Sequence, residues 1–376
     1  MRIGFIVNNY PPHLGGLELH VQSLARQLTR FGHEVAVITL DHSDELAAKP
    51  TPLNDFHQQP FADQAVRVLR VPKKLNIGDV FSLPTFKSIR TIIRAVRQAN
   101  LDVISVHTRF FPLTWLGVAI GAKLHMPVIL TEHGSDFVSH NSASITAAAK
   151  AVDLTLGRWS HRHATKVLGV STAVTSFVKK LSDIDATVFF NAVAPPDLAL
   201  NRHAATHLVF IGRLVYGKGW GEFIRIASEL KAQMPEISAT IVGGGPDEPA
   251  VRAAAPDWMR VTGRIAQDEA IALLAGSTLI NPTVLSEGFQ TTVVEAITNG
   301  GRVVGYPEPA SEALRDAGAP VTLVAQGDEA ALLAAVREAL LHPKAPFSSA
   351  ESAEWTWPQR AREYEATCVA VLSQHK

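Results

Sequence analysis

The feature that most constrains this chain is a repeated alternation. Apolar runs of three to six residues lie at 3–7, 35–38, 66–71, 103–106, 128–130 and 167–170, with helical patterns between them. After a Pro-containing break around 188–196 the alternation resumes at 208–211, 239–242, 260–261, 278–280, 302–304 and 321–324. Runs this apolar suit strands covered on both faces, which is the setting of parallel sheets joined by crossover helices. Two such series in one chain predict an α/β protein of two doubly wound, Rossmann-like domains facing a cleft. The expected boundaries are 1–190, 191–353 and a last helix in 354–376, which follows the second series and is expected to return to the first domain.

A length of 376 residues fits two domains, and 47% hydrophobic with 19% charged residues is a globular composition. Thirty-five basic and thirty-five acidic residues cancel, so nothing global marks a nucleic-acid binder. Cys368 is the lone cysteine, which excludes an internal disulfide framework and a cysteine-based zinc site. The first apolar run is short and has no small-residue cleavage site after it, and no window reaches about 18 apolar residues. The expectation is a cytoplasmic protein, soluble or held at the inner face of the membrane.

Within the first series, Leu17, Val21, Leu24, Leu28 and Phe31 recur at helical spacing after Gly15 and Gly16, and Gly32 is placed to end that helix. The glycine pair lies where a helix start attracts anions, and the competing reading is a tight turn that uses glycine for its backbone freedom. No G-x-G-x-x-G follows the first strand, which disfavours a nicotinamide oxidoreductase. Residues 41–64 read as a long polar loop. Over 86–97, Phe86, Ile89, Ile93 and Val96 form one face and Lys87, Arg90, Arg94 and Arg97 another. A basic amphipathic helix suits an anionic membrane surface, although packing on a core is its commoner use. Ser171 is a candidate N-cap. His107 and His133 fall at strand ends, the edge where open parallel sheets bind ligands. His133, in Thr131-Glu132-His133-Gly134, is the better ligand candidate; a structural histidine is the alternative.

The second series carries the strongest chemistry. Arg213 ends a strand and Lys218 follows between Gly217 and Gly219, so a fork and a compact charge can together neutralise a diphosphate. Glu287 and Glu295 flank Gly288, Phe289 and Gln290, where a helix start offers free amides. Either carboxylate can accept from vicinal sugar hydroxyls. Thr292 to Glu295 also fits a capping box, which would make Glu295 structural. Asn299-Gly300-Gly301 is a fitting helix stop.

Arg-x4-Lys in a glycine turn followed by EGFQTTVVE resembles the family 4 glycosyltransferases of GT-B fold. The segments PPHLGGLE, TEHG, VGGGP and TGRI and the late Trp357 fall in that family's order, so the resemblance covers nearly the whole chain. It implies a retaining, metal-independent transfer of a sugar from a nucleotide-diphosphate sugar to a saccharide, lipid-linked or small-molecule acceptor, with no cofactor. It assigns Arg213 and Lys218 to the donor diphosphate, Glu287 to the donor sugar and Glu295 to the ribose. Phe289 and Gln290 amides lie near sugar and phosphate by the same likeness, Arg264 and Ile265 near the base, and Gly16 and His133 near phosphate and transferred sugar. The sequence departs from the family at Asn191-Ala192-Val193-Ala194, at Tyr216-Gly217 and at Pro309-Ala310-Ser311-Glu312, which bears on the loops around the donor. A nucleotide-sugar epimerase of the same fold and a non-catalytic nucleotide-sugar-binding module are the alternatives.

Overall fold

The computed structural model describes residues 1–12, 15–41, 66–77, 81–137, 142–197 and 199–375. It divides into two compact units, Met1–Asn191 with Trp357–Lys376, and Ala192–Thr356. The return comes three residues later than 354 for a local reason. Val193 N–H donates to Trp355 O at 3.1 Å and Val193 bridges Thr356, which keeps 354–356 with the second unit.

In the first unit the strands are β1 Arg2–Val7, β2 Glu34–Leu40, β3 Arg67–Val71, β4 Lys73–Ile77, β5 Phe81–Pro84, β6 Val103–His107, β7 Val128–Glu132, β8 Lys166–Gly169 and β9 Thr187–Val188. Seven of them form a sheet in the order β3-β2-β1-β6-β7-β8-β9, every pairing parallel. The antiparallel ribbon β4-β5 is separate and carried no periodic signal in the sequence. The long loop expected over 41–64 lies, from residue 42 on, outside the described residues. Ile6, Ile38, Val106 and Leu130 from the strands pack with Ile92, Val96, Leu113 and Val118 from the helices Phe86–Gln98 and Pro112–Leu124. The basic helix thus buries an apolar stripe in the core. Its first residue, Phe86, stays 82% exposed instead of joining that stripe.

The second unit holds β10 His207–Ile211, β11 Ser238–Val242, β12 Met259–Gly263, β13 Thr278–Asn281, β14 Arg302–Gly305 and β15 Val321–Leu323. Their order is β12-β11-β10-β13-β14-β15, again all parallel. Phe210, Ile241, Ile280 and Val304 meet Phe223, Ile226, Leu332 and Val336 of the covering helices. Each sheet reverses its winding once, between β1 and β6 and between β10 and β13. Loops leaving the C-terminal ends of such strand pairs diverge and open a crevice, so the order itself locates the sites.

Candidate active site

At the β10/β13 reversal, two loops are locked together. Residues 212–219 leave β10 and 282–290 leave β13. Val284 N–H donates to Gly217 O at 2.8 Å. A Cβ on Gly219 would stand 2.4 Å from Pro282 O, and Gly219 takes φ +85°, so glycine is required there twice over. The clamp presents Lys218 to Glu287, and Lys218 Nζ donates to Glu287 Oε1. Both side chains are about a fifth to a quarter exposed.

A cavity of about 220 Å³ opens beside this pair, lined by Gly212, Lys218, Asn281, Glu287, Phe289 and Gln290 among others. Whole-ligand pockets run to about 300–1,000 Å³, so this one suits part of a ligand. Thr291 and Thr292, which open the helix Thr291–Thr298, also line it, and Gln290 caps that helix without a side-chain bond to its amides. The cavity therefore combines an ammonium group, a carboxylate and a helix start, a set that suits a phosphate beside a hydroxylated ring.

The capping-box reading of Glu295 is corrected here, because the N-cap is Gln290 and Glu295 sits mid-helix. Its carboxylate accepts from Gln267 Nε2 at 2.8 Å, and burial pushes its pKa up against that bond. Glu295, Arg213, Gly288, Arg264 and Ile265 are not among the residues lining this cavity. Lys218 and Glu287 meet, whereas Arg213 is exposed and Glu295 is buried. Gly243–Gly245 explain how the neighbouring loops fit. A Cβ on Gly243 would lie 1.8 Å from Gly212 O, one on Gly245 2.3 Å from Leu214 O, and one on Gly244 2.9 Å from Arg264 Cγ. Backbone without side chains is what lets these segments pass.

Glu308 emerges only from the structure. Its carboxylate accepts from the N–H groups of Ala310 and Ser311, capping the helix Pro309–Asp316, and from that of Gln290. Burial raises its pKa despite those bonds. One buried carboxylate thereby fixes the entry to the helix at the cavity. The dipeptide Glu308-Pro309 was a signal, since proline at the first helical position marks a start.

The first unit builds its own constellation at the β1/β6 reversal. Glu132 ends β7 fully buried. Its Oε1 accepts from His133 N–H and Gly134 N–H, both at 2.9 Å, and pairs with Arg109 Nη1 at 3.1 Å. Its Oε2 takes Arg109 N–H at 3.0 Å and meets His161 Nε2 at 3.2 Å. Arg109 also pairs with Asp153 at 3.0 Å. Burial alone would raise the Glu132 pKa, but Arg109 and His161 hold it well below the usual carboxylate range. This network sets the turn that carries His133.

His133 Nε2 meets His107 Nδ1 at 3.1 Å, and the His20 ring stands edge-on to His133 with centroids 4.7 Å apart. His20 Nδ1 meets Asn191 Oδ1 at 3.0 Å. Burial lowers the pKa of all three rings, that of His133 to about 4, so they are neutral near pH 7. Their nitrogens lie within 4.8 Å of one another, and this is the group among the described residues with the chemistry to hold a metal. Two of those nitrogens are already spent on each other. Gly15 caps the helix Gly16–Arg30 with φ −159°, extended backbone open to any residue. The expected use of glycine for conformational freedom is thus corrected. A Cβ on Gly15 would instead meet Glu18 Oε2 at 2.4 Å, while one on Gly16 would meet open space.

Residues 14–195 match a family model described as Glycosyltransferase Family 4, and residues 205–342 match Glycosyl transferases group 1. An uncharacterised glycosyltransferase of Methanocaldococcus jannaschii is 25% identical over 330 residues, 82% of this chain and 81% of that one. One component of the phosphatidylinositol N-acetylglucosaminyltransferase of Homo sapiens is 23% identical over 316 residues, 81% of this chain but 62% of that one. Among solved structures, Anabaena HepE in complex with UDP superposes with a TM-score of 0.64 at 16% identity, covering 100% of this chain and 98% of that one. A likeness at that identity is one of fold.

Proposed function

The chain belongs to the family 4 glycosyltransferases and has the GT-B fold, and from that premise we propose the reaction it performs. A sugar moves from a nucleotide-diphosphate sugar to a saccharide, lipid-linked or small-molecule hydroxyl, with retention and without a metal. The observation that carries this reading is the Lys218–Glu287 pair on a cavity at the β10/β13 reversal, beside the start of the helix Thr291–Thr298.

As the bond from the anomeric carbon to the diphosphate breaks, charge builds on the departing phosphate oxygen. Fixed donors aimed at such charge are the strongest catalytic device available to a protein. Lys218 and the helix-start amides take that role, and Arg213 adds a second cation. Glu287, released from Lys218 by the phosphate, accepts from a hydroxyl of the sugar. The acceptor oxygen bonds to the same face of the anomeric carbon and its proton passes to the leaving phosphate, so no side chain acts as a strong base. Glu295 receives the ribose hydroxyls, with Gln267 orienting it. Arg264 and Ile265 flank the base, and Gly16 and His133 serve phosphate and sugar. The Anabaena neighbour holds UDP, and the human relative's name is that of an enzyme acting on phosphatidylinositol, which supports a nucleotide donor and keeps a lipid-linked acceptor within the class. No helix among the described residues is long and apolar enough to cross a membrane.

A thermal-shift screen of nucleoside diphosphates, followed by their sugars, tests this reading. One diphosphate should raise Tm, and its sugar conjugate should support transfer that EDTA leaves unchanged. Donor turned over without any acceptor would indicate an epimerase, and donor binding with no turnover against a broad acceptor panel a binding module.

A further inference from the structure

A cavity of the first unit is unlike the one beside Lys218. It encloses about 860 Å³ between β4, β5, the helices Phe86–Gln98 and Pro112–Leu124, and the segment 153–163. Of its eleven lining residues only Lys74 is charged, and the walls include Phe86, Ile89, Trp115, Leu156 and Trp159. Trp115 spends its one polar atom inward, donating Nε1–H to Arg109 O at 2.6 Å, so it offers the cavity hydrocarbon alone. Phe86 at 82% exposure and Leu156 at 40% extend the apolar surface to the rim.

Among the described residues, the exposed charge on the elements framing this groove has one sign. On the elements that frame it, every exposed ionisable side chain among the described residues is basic, including Lys74, Lys87, Arg90, Arg94 and Arg97. Their one acid, Asp153, is buried against Arg109. Core packing accounts for the buried face of the basic helix and leaves both the exposed Phe86 and the one-signed rim unexplained. An apolar slot with Lys74 on its wall and basic residues exposed on its framing helix is complementary to a long hydrocarbon chain carrying an anionic head. We propose that this groove binds the chain of an anionic lipid, its headgroup held by the basic rim, and that the acceptor is therefore an amphiphile. The assignment of this lipid as acceptor rests on the transfer reading above; the lipid site itself does not.

The full chain should co-sediment with phosphatidylglycerol vesicles and not with phosphatidylcholine vesicles, and salt should weaken the binding. With monomeric short-chain phosphatidylglycerols, affinity should rise by roughly fourfold for each methylene that enters the groove. Ala119→Trp, which fills the exposed mouth of the slot, should flatten that dependence on chain length while leaving salt dependence intact. The pair Arg90→Glu and Arg94→Glu should cut binding at least tenfold without changing Tm. Binding by the wild-type chain that ignores chain length, or equal chain-length dependence in the Ala119→Trp protein, would overturn the groove. Equal affinity for phosphatidylcholine would overturn the anionic head. A dimer that forms without lipid and is abolished by Ala119→Trp would assign the surface to a second copy instead. Nucleoside diphosphates that fail to shift Tm would sink the transfer reading while leaving these lipid measurements standing.

Discussion

Lys218 Nζ donates to Oε1 of Glu287 across 69 residues of chain. The cation expected at a phosphate and the carboxylate expected at a sugar thus neutralise each other, and in the proposed reaction the donor separates them. Lys218→Ala should lower kcat by about 100- to 1,000-fold, the scale of removing one transition-state donor. The circular dichroism spectrum should be unchanged. In a double-mutant cycle with Glu287→Ala, the losses should fall well short of additive, because each partner is idle without the other. Additive losses would argue that the two act at separate points.

Glu295 is nearly buried and its pKa is raised by that burial. Its folded pKa lies above the unfolded value, so its contribution to stability is complete below about pH 4.5 and is lost as pH rises through the folded pKa. Glu295→Gln should therefore hold or raise Tm at pH 7. Donor affinity should fall tenfold or more if the carboxylate holds the ribose. Titration calorimetry with the nucleoside diphosphate separates these effects, and unchanged affinity would leave Glu295 a purely structural partner of Gln267.

The three histidines run the other way. Burial holds His133 near 4, well below its unfolded value, with His20 and His107 lowered as well. The unfolded chain binds protons first, so stability is intact above about pH 6.5 and declines as pH falls towards 4. His133, half-buried, should account for about 1–3 kcal/mol of that decline. Urea unfolding at pH 7, 6 and 5 should show a shallower slope for His133→Asn than for wild type. Parallel slopes would mean that His133 titrates normally.

Arg109 bridges two buried acids, Glu132 and Asp153. Arg109→Met removes the guanidinium shared by both carboxylates and should cost about 3–5 kcal/mol in guanidinium unfolding. Nucleotide binding by the second unit should persist in the folded fraction. A loss under 1 kcal/mol would mean that the acids recruit protons at little cost.

Legibility in the sequence followed the physics of each feature. Buried parallel strands write themselves as apolar runs, which is why β1, β6 and β13 were readable. β9 has only two residues, too few to leave a pattern. Lys218 and Glu287 were legible because charged groups sit in glycine turns at strand ends. Their pairing was not, since sequence spacing does not report distance across 69 residues. Arg109, Glu132 and Glu308 are charges whose role depends on burial, and burial of an ion is decided by tertiary partners. The apolar stripe of 86–97 was correctly assigned to a core, yet Phe86 was counted in it, because helical spacing does not reveal where the core ends.

The first unit is interrupted, taking its last helix, Trp357–His375, from beyond the second. Tyr364 in that helix donates to Ser105 Oγ at 2.6 Å, and Ser105 in turn meets His107. During translation the later unit, made from one unbroken segment, is complete first, while the earlier one waits until the helix has left the ribosome. A nonsense codon placed between the two would therefore spare the half translated second and leave the half translated first without its closing piece.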